Sequence, residues 1–156
     1  AMEHMARTWF DRLPVVIARP FNYTGMGQDE KFLVPKIVSH FRRGAKVIEL
    51  GNIDVERDFS DVRTVVDVYR RLLESGTAGQ TFNVCSGTVW SLKDVLEMMA
   101  EIAGYDIEVK VNPEFVRANE LKRLQGDAGK LTGAIGALNT IPLQETLRWM
   151  YSGTGE

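Results

Sequence analysis

Cysteine is almost missing from this chain. Cys85 is the single one, and one thiol closes no internal disulfide. A disulfide-stapled scaffold is excluded, and the composition fits a reducing compartment, so a cytoplasmic location is expected. Histidine is nearly as scarce. His4 and His40 both fall in helical patterns, and neither has a second histidine or a cysteine at metal-ligand spacing, so no metal site is expected. No apolar run approaches the roughly 18 residues of a spanning helix, and no membrane partner is expected. Residues 1–12 carry charge throughout, unlike a signal peptide. Neither sign of charge dominates: 19 Lys and Arg face 21 Asp and Glu, a formal net charge of −2. Nothing in that balance attracts nucleic acid. Arg42-Arg43 and Arg70-Arg71 read as solvated helix faces without interleaved aromatics. Several catalytic signatures are also lacking. There is no Gly-x-Ser-x-Gly, no Walker-type loop and no Gly-x-Gly-x-x-Gly; Gly25-Met26-Gly27 supplies only the first two glycines of the last.

What is present is the balance of a globular chain. Hydrophobic residues make up 44% and charged residues 26% of 156 residues, enough for a core in one domain or in a large piece of a bigger one. Met2, Met5, Ala6, Trp9 and Leu13 recur at helical steps, so residues 1–13 read as a helix. No cap precedes it. The expectation is that the sequence opens inside a larger fold, the alternative being a natural short terminus. Pro14-Val15-Val16-Ile17-Ala18 reads as a strand buried on both faces of a parallel sheet. In a chain lacking that strand's sheet neighbours, the expectation is pairing with a second copy or an exposed apolar edge.

A polar loop, residues 22–29, comes next. Leu33, Ile37 and Phe41 then define a helix with Pro35 in its first turn, ended by Arg42-Arg43-Gly44. Val47-Ile48-Glu49-Leu50 is a short strand, and residues 58–62 are extended. Thr64 and Asp67 suggest a capping box for a helix with Val65, Tyr69, Leu72 and Leu73 on its apolar stripe. Thr81 to Val84 is a further strand. Ser91 and Asp94 form a second capping box, opening a helix that Gly104 stops. Ile107 to Val111 alternates as a strand, and Pro142 opens a last helix carrying Leu143, Leu147 and Met150. Strands and helices alternate, so the expected class is α/β.

The basic residues are the most suggestive chemistry. Arg57 sits at a strand edge within Glu56-Arg57-Asp58, Arg117 lies in an irregular segment, and Lys36 is on the helix after the polar loop. Guanidinium forks suit phosphates because they offer parallel donors and keep their charge. The alternative is surface pairing of these arginines with Asp58 or Glu120, which contributes about 0–1 kcal/mol each. Cys85 reads as a buried structural thiol rather than a nucleophile.

Several strings are more specific. Val15-Val16-Ile17-Ala18-Arg19-Pro20-Phe21-Asn22-Tyr23-Thr24-Gly25 resembles the strand and loop after the catalytic helix of the extended short-chain dehydrogenase/reductase family, the NAD-dependent epimerases and dehydratases. Ala1-Met2-Glu3-His4-Met5-Ala6 is similar to the helix just downstream of that family's Tyr-x-x-x-Lys motif. Glu56 to Arg63 resembles the arginine-bearing segment of its substrate lobe, and Phe82-Asn83-Val84-Cys85-Ser86-Gly87 its next strand. Phe115-Val116-Arg117 with Glu120, then Gly126-Asp127 and Leu131-Thr132-Gly133, resemble the C-terminal part of the GDP-4-keto-6-deoxy-mannose reductase branch. Ala118 stands where many relatives have proline, and Ile135-Gly136 near a usual Gly-Trp.

The resemblance implies a fold and a division of labour. The fold would be the C-terminal portion of a Rossmann-type doubly wound sheet plus the small nucleotide-sugar-binding lobe, spanning residues 1–156. The N-terminal cofactor-binding half would be absent, and with it the glycine-rich loop, the catalytic Ser/Thr and the Tyr-x-x-x-Lys. No catalytic residue is therefore expected within this sequence, and the chain alone is expected to be inactive. Substrate-binding roles carry over to Asn22, Lys36, Val47, Arg57, Arg117 and Glu120: Arg57 and Arg117 on the diphosphate, Glu120 on a ribose hydroxyl, Val47 near the base. Pro20 and Phe21 would lie against the nicotinamide of NAD or NADP. The complete enzyme would reduce the C4 keto group of a GDP-4-keto-6-deoxy sugar. The alternatives are a GDP-mannose 4,6-dehydratase, a nucleotide-sugar 4-epimerase, or a non-catalytic nucleotide-sugar-binding fragment. A homodimer is expected, through helices that include the first.

Overall fold

The computed structural model describes residues 1–116 and 121–153. In chain order the elements are α1 (Met2–Arg7), β1 (Ile17–Pro20), β2 (Asn22–Thr24), α2 (Leu33–Arg42), β3 (Val47–Leu50), β4 (Glu56–Asp61) and α3 (Val62–Glu74). There follow β5 (Thr81–Val84), β6 (Val89–Ser91), α4 (Leu92–Ala103), β7 (Glu108–Val111), a 3₁₀ turn at Pro113–Phe115, β8 (Arg123–Leu124), α5 (Gly129–Ile135) and α6 (Leu143–Ser152). The class is α/β. Parallel pairing dominates: β1 with β5, β2 with β4, β3 with β7 and β4 with β8, while β4 and β6 run antiparallel.

Two apolar clusters hold these elements. The larger one packs α2, α4 and α6 against β3 and β4, around Ile37, Phe41, Ile48, Val95, Met99 and Leu147. All six are at most 1% exposed. The smaller one lies between α3, β5 and α5, where Val65, Val68 and Leu72 meet Phe82, Val84 and Leu131. β4 serves both regions. It runs beside β2 and β8, and its last residue, Asp61, caps α3.

Local chemistry explains the sharpest boundaries. Ser91 Oγ accepts from the Asp94 amide while Asp94 returns to the Ser91 amide, so α4 begins with both orphan donors satisfied. It ends at Gly104 in the left-handed region, φ 76°, where a side chain would be strained. Pro142 precedes α6, whose buried face is Leu143, Thr146, Leu147 and Met150.

Other expectations need correction. The helix over residues 1–13 is regular only at Met2–Arg7 and continues as turns, because Pro14 lies close ahead and no buried face holds the second half. The first strand starts later than its apolar run suggests and is not covered on both faces: Ile17 is buried, while Arg19 and Pro20 are exposed. The cap of α3 is Asp61, not Thr64. Thr64 Oγ1 instead donates to the Asn139 carbonyl, and Asp67 pairs with Arg70. The apolar stripe shifts with that start. Val65, Val68 and Leu72 are buried, whereas Leu73 is 84% exposed and Tyr69 38%. Besides the 3₁₀ turn, four elements escaped the sequence reading: β2, inside the supposed loop, the three-residue β6, the glycine-bearing α5, and the two-residue β8.

Candidate functional site

A cleft of about 800 Å³ opens among the described residues. Its walls come from β2, the loop before α2, the first turn of α2, the end of β3, the outer half of β4 and the 3₁₀ turn. Each wall reaches the cleft for a local reason. Phe21 donates its amide to Val84 O at 2.9 Å, so the chain leaving β1 turns beside β5 and enters β2 at Asn22. Asn22 pairs with Phe59 in the parallel ladder, which sets the polar side chain next to the floor strand. Gly51 lets the 3₁₀ turn close the far side, since a Cβ there would stand 2.7 Å from Phe115 O.

Asn22, Lys36, Arg57 and Phe21 all line this cleft. Asn22 Nδ2 donates to Asp58 O at 3.4 Å. Lys36 Nζ donates to Glu49 O at 2.7 Å and lies 4.8 Å from the centroid of the Phe115 ring, so its ammonium is held by a carbonyl and an aromatic face. Arg57 Nη1 donates to Glu56 O at 2.9 Å and to Leu121 O at 2.8 Å. Val47 lies outside the lining. It begins β3, and the cleft is reached only at the strand's other end, by Leu50, Gly51 and Asn52. Pro20 is exposed at the carboxyl end of β1 and also lies outside the lining, next to Phe21. Arg117 and Glu120 fall outside the described residues.

The lining carries Lys31, Lys36 and Arg57 against Glu114 alone, an excess of two positive charges among the described residues. The first turn of α2 adds main-chain amides at the same wall. An elongated anion with a flat apolar end matches such a surface: cations and amides for the charge, Phe32, Val55 and Phe115 for the ring.

Residues the sequence reading did not single out contribute as well. Gln28 Nε2 donates to Tyr23 O and its Oε1 accepts from Thr24 Oγ1, which pins the loop before α2 to β2. Asp58, the alternative surface partner that the sequence offers Arg57, is 0% exposed. Its carboxylate accepts from Ser86 and Gly87 instead. Cys85, beside it, is 2% exposed, and burial with the nearby Asp58 charge pushes its thiol up to about 11. Among the described residues no group of three or more His, Cys, Asp or Glu side chains is arranged to hold a metal ion, and no helix is long and apolar enough to cross a membrane.

The chain is similar to known proteins in sequence and in fold. Residues 1–150 match the family described as GDP-mannose 4,6 dehydratase. The chain is 37% identical over 135 residues to GDP-6-deoxy-D-talose 4-dehydrogenase of Aggregatibacter actinomycetemcomitans, covering 86% of this chain and 46% of that protein. It is 36% identical over 143 residues to GDP-6-deoxy-D-mannose reductase of Pseudomonas aeruginosa, covering 88% and 47%. Among solved structures, a provisionally assigned epimerase from Burkholderia cenocepacia J2315 superposes with a TM-score of 0.95 at 57% identity, over 97% of this chain and 50% of that one. RMD from Pseudomonas aeruginosa, complexed with NADPH, superposes with a TM-score of 0.88 at 34% identity, over 97% and 52%. The chain thus spans about half the length of the relatives it matches. With its parallel α/β architecture and its cationic cleft, it belongs to the GDP-mannose 4,6 dehydratase family.

Proposed function

We propose that this chain grips the nucleoside-diphosphate end of a GDP-linked sugar, as the substrate-binding part of an NAD(P)-dependent nucleotide-sugar oxidoreductase. The observation that carries the reading is the convergence of Asn22, Lys36 and Arg57, from three separate elements, on one cleft with an excess of positive charge. Its volume of about 800 Å³ lies within the usual range of small-molecule sites, about 300–1,000 Å³. Arg57, with Arg117, supplies guanidinium donors to the diphosphate, Lys36 adds a third cation, and Asn22 offers an amide near the phosphates. Glu120 accepts from a ribose hydroxyl. The base lies toward β3, at Leu50 to Asn52 rather than at Val47.

The reaction is reduction of the C4 keto group of a GDP-4-keto-6-deoxy sugar; the relatives of this chain that carry reductase and 4-dehydrogenase names support it. The family description favours one second reading, a GDP-mannose 4,6-dehydratase. The residues here fit one end of a nicotinamide dinucleotide. Pro20 is exposed at the carboxyl end of a parallel strand and Phe21 lines the cleft beside it, the place where open α/β sheets bind ligands. When bound, NAD(P) supplies or accepts the hydride. Pro20 and Phe21 would give its ring an apolar wall. The chain's own part is positioning: binding energy on the nucleotide, remote from the reacting carbon, orients the sugar. A homodimer through α1 agrees with the exposure there of Met2 (83%) and Met5 (66%). A reducing cytoplasm suits the single buried thiol.

Calorimetric titration with GDP and UDP tests the reading. GDP is expected to bind and UDP to bind more weakly. Arg57→Ala and Arg117→Ala are each expected to weaken GDP by about 1.5–3 kcal/mol, the scale of a charge-assisted hydrogen bond. No binding of GDP by the unmodified chain overturns it.

A further inference from the structure

β4 alternates at the cleft floor. Arg57 and Phe59 line the cavity, and Asp58 between them turns away from it into the protein. There the carboxylate is fully buried and fully engaged. Oδ1 accepts from Ser86 N at 2.9 Å and Ser86 Oγ at 2.7 Å; Oδ2 accepts from Gly87 N at 2.9 Å and Gly126 N at 3.2 Å. Gly87, at φ 78°, gives the turn the left-handed step that aims successive amides at one anion. Asp58 belongs to neither apolar cluster. What it joins are the segment after β5 and the segment after β8.

Both joined segments bear on the cleft. Residues 121–126 run alongside β4 in the same direction: Arg57 holds Leu121 O, Glu56 N holds Lys122 O at 2.7 Å, and Asp58 holds Gly126 N. Gly126 is wedged in turn against the wall, since a Cβ there would stand 2.4 Å from Cys85 Sγ and 3.1 Å from the Phe21 ring. The main chain of Asp58 takes part too, its carbonyl accepting from Asn22 Nδ2. One residue therefore touches the supports of Arg57, Asn22 and Phe21 without facing the cavity.

We propose that the buried carboxylate of Asp58 is a positioning residue of the nucleotide cleft: by clamping Ser86-Gly87 and Gly126 it fixes where β4 presents Arg57 and where Asn22 stands. The inference rests on the nucleotide-binding reading above. An asparagine at position 58 keeps size and shape but has one acceptor oxygen, so one pair of donors meets an amide N–H₂. The clamp then opens on one side while the apolar clusters stay intact.

The test is GDP titration of the unmodified chain, Asp58→Asn, Ser86→Ala and the control Asp61→Asn, with amide exchange measured on each. Asp58→Asn is expected to weaken GDP about tenfold, with faster exchange at Ser86, Gly87 and Gly126. Ser86→Ala, which removes one of the donors, is expected to weaken it about threefold. Asp61→Asn, at the far end of the same strand, is expected to lower the thermal midpoint and leave GDP affinity unchanged. Equal affinity of the unmodified chain and Asp58→Asn overturns the inference, as does a loss in Asp61→Asn matching that in Asp58→Asn. If Asp58→Asn does not fold, Ser86→Ala decides alone, and unchanged affinity there overturns it. Failure of the unmodified chain to bind GDP is a separate result, which removes the nucleotide reading itself.

Discussion

Replacing Asp61 tests how β4 is anchored behind the cleft. Its side chain is completely buried and caps α3 through the Arg63 amide at 2.7 Å. It also accepts from the Arg63 guanidinium at 3.0 and 2.8 Å and from Thr146 Oγ1 at 2.7 Å. Asp61→Ala removes a cap, which costs about 1 kcal/mol. It removes a charge-assisted bond from Thr146, about 1.5 kcal/mol, the low end of the range because Thr146 Oγ1 retains Pro142 O at 3.3 Å. The pair with Arg63, whose side chain is 38% exposed, adds less than about 1 kcal/mol. The expected loss is about 3 kcal/mol, or roughly 6–12 °C in Tm for a chain of this size. Asp61→Asn keeps one acceptor, for the cap, while its N–H₂ faces Thr146 Oγ1, which can accept from it and donate to Pro142 O, so its expected loss is about 1 kcal/mol.

The pH dependence adds a second arm. Burial pushes the Asp61 carboxyl up, but the hydrogen bonds from Arg63 and Thr146 outweigh it and hold it below the ordinary aspartate value. A depressed folded-state value means that the stabilisation is complete above the unfolded pKa of about 3.9 and disappears as pH falls through the lower folded value. Urea denaturation followed by circular dichroism at pH 7 and in a series below pH 4 should show the gap between wild type and Asp61→Ala narrowing with acid. A loss below about 1 kcal/mol at pH 7, or a gap that widens with acid, would refute the reasoning.

Other expectations concern single contacts. Ser91→Ala removes the acceptor for the Asp94 amide and should destabilise by about 1 kcal/mol, read from the same denaturation curves. Gly126→Ala drives a methyl into both Sγ and Cβ of Cys85 and should cost about 1–3 kcal/mol in the same denaturation curves; adding Cys85→Ala removes only the Sγ contact and should recover part of it, and full recovery would contradict the Cβ contact. With burial holding its thiol near 11, Cys85 should resist an aromatic disulfide reagent at pH 8 in the folded chain and react fully in denaturant. Rapid labelling of the folded chain would contradict its burial.

Much of the architecture was legible where local chemistry and packing agree. Val47–Leu50 and Thr81–Val84 are strands at the expected boundaries, and α4 begins at Ser91 and stops at Gly104 as its capping box and glycine dictate. The reading failed where tertiary partners decide. Asn22-Tyr23-Thr24 carries no apolar alternation and becomes a strand only because β4 lies alongside it. Thr64 has a capping residue's chemistry, but its hydroxyl is drawn to Asn139, and Asp61 takes the cap one strand-end earlier. In the site, cationic residues stood out by type, whereas Asp58 did not. Its sequence neighbour Arg57 supplied an obvious partner, and the donors that occupy it lie 28 to 68 positions away.

The two apolar clusters carry a consequence for motion. Each gathers its own residues, and Asp61 bridges the two, capping α3 while it accepts from Thr146 on α6, so α3 with α5 loosens only as that buried carboxylate lets go. Deuterium should enter the smaller group first, leaving the ligand-facing wall protected until the whole chain opens. A lobe that keeps its shape while its neighbour breathes can hold one end of a long molecule steady as the other end is rearranged.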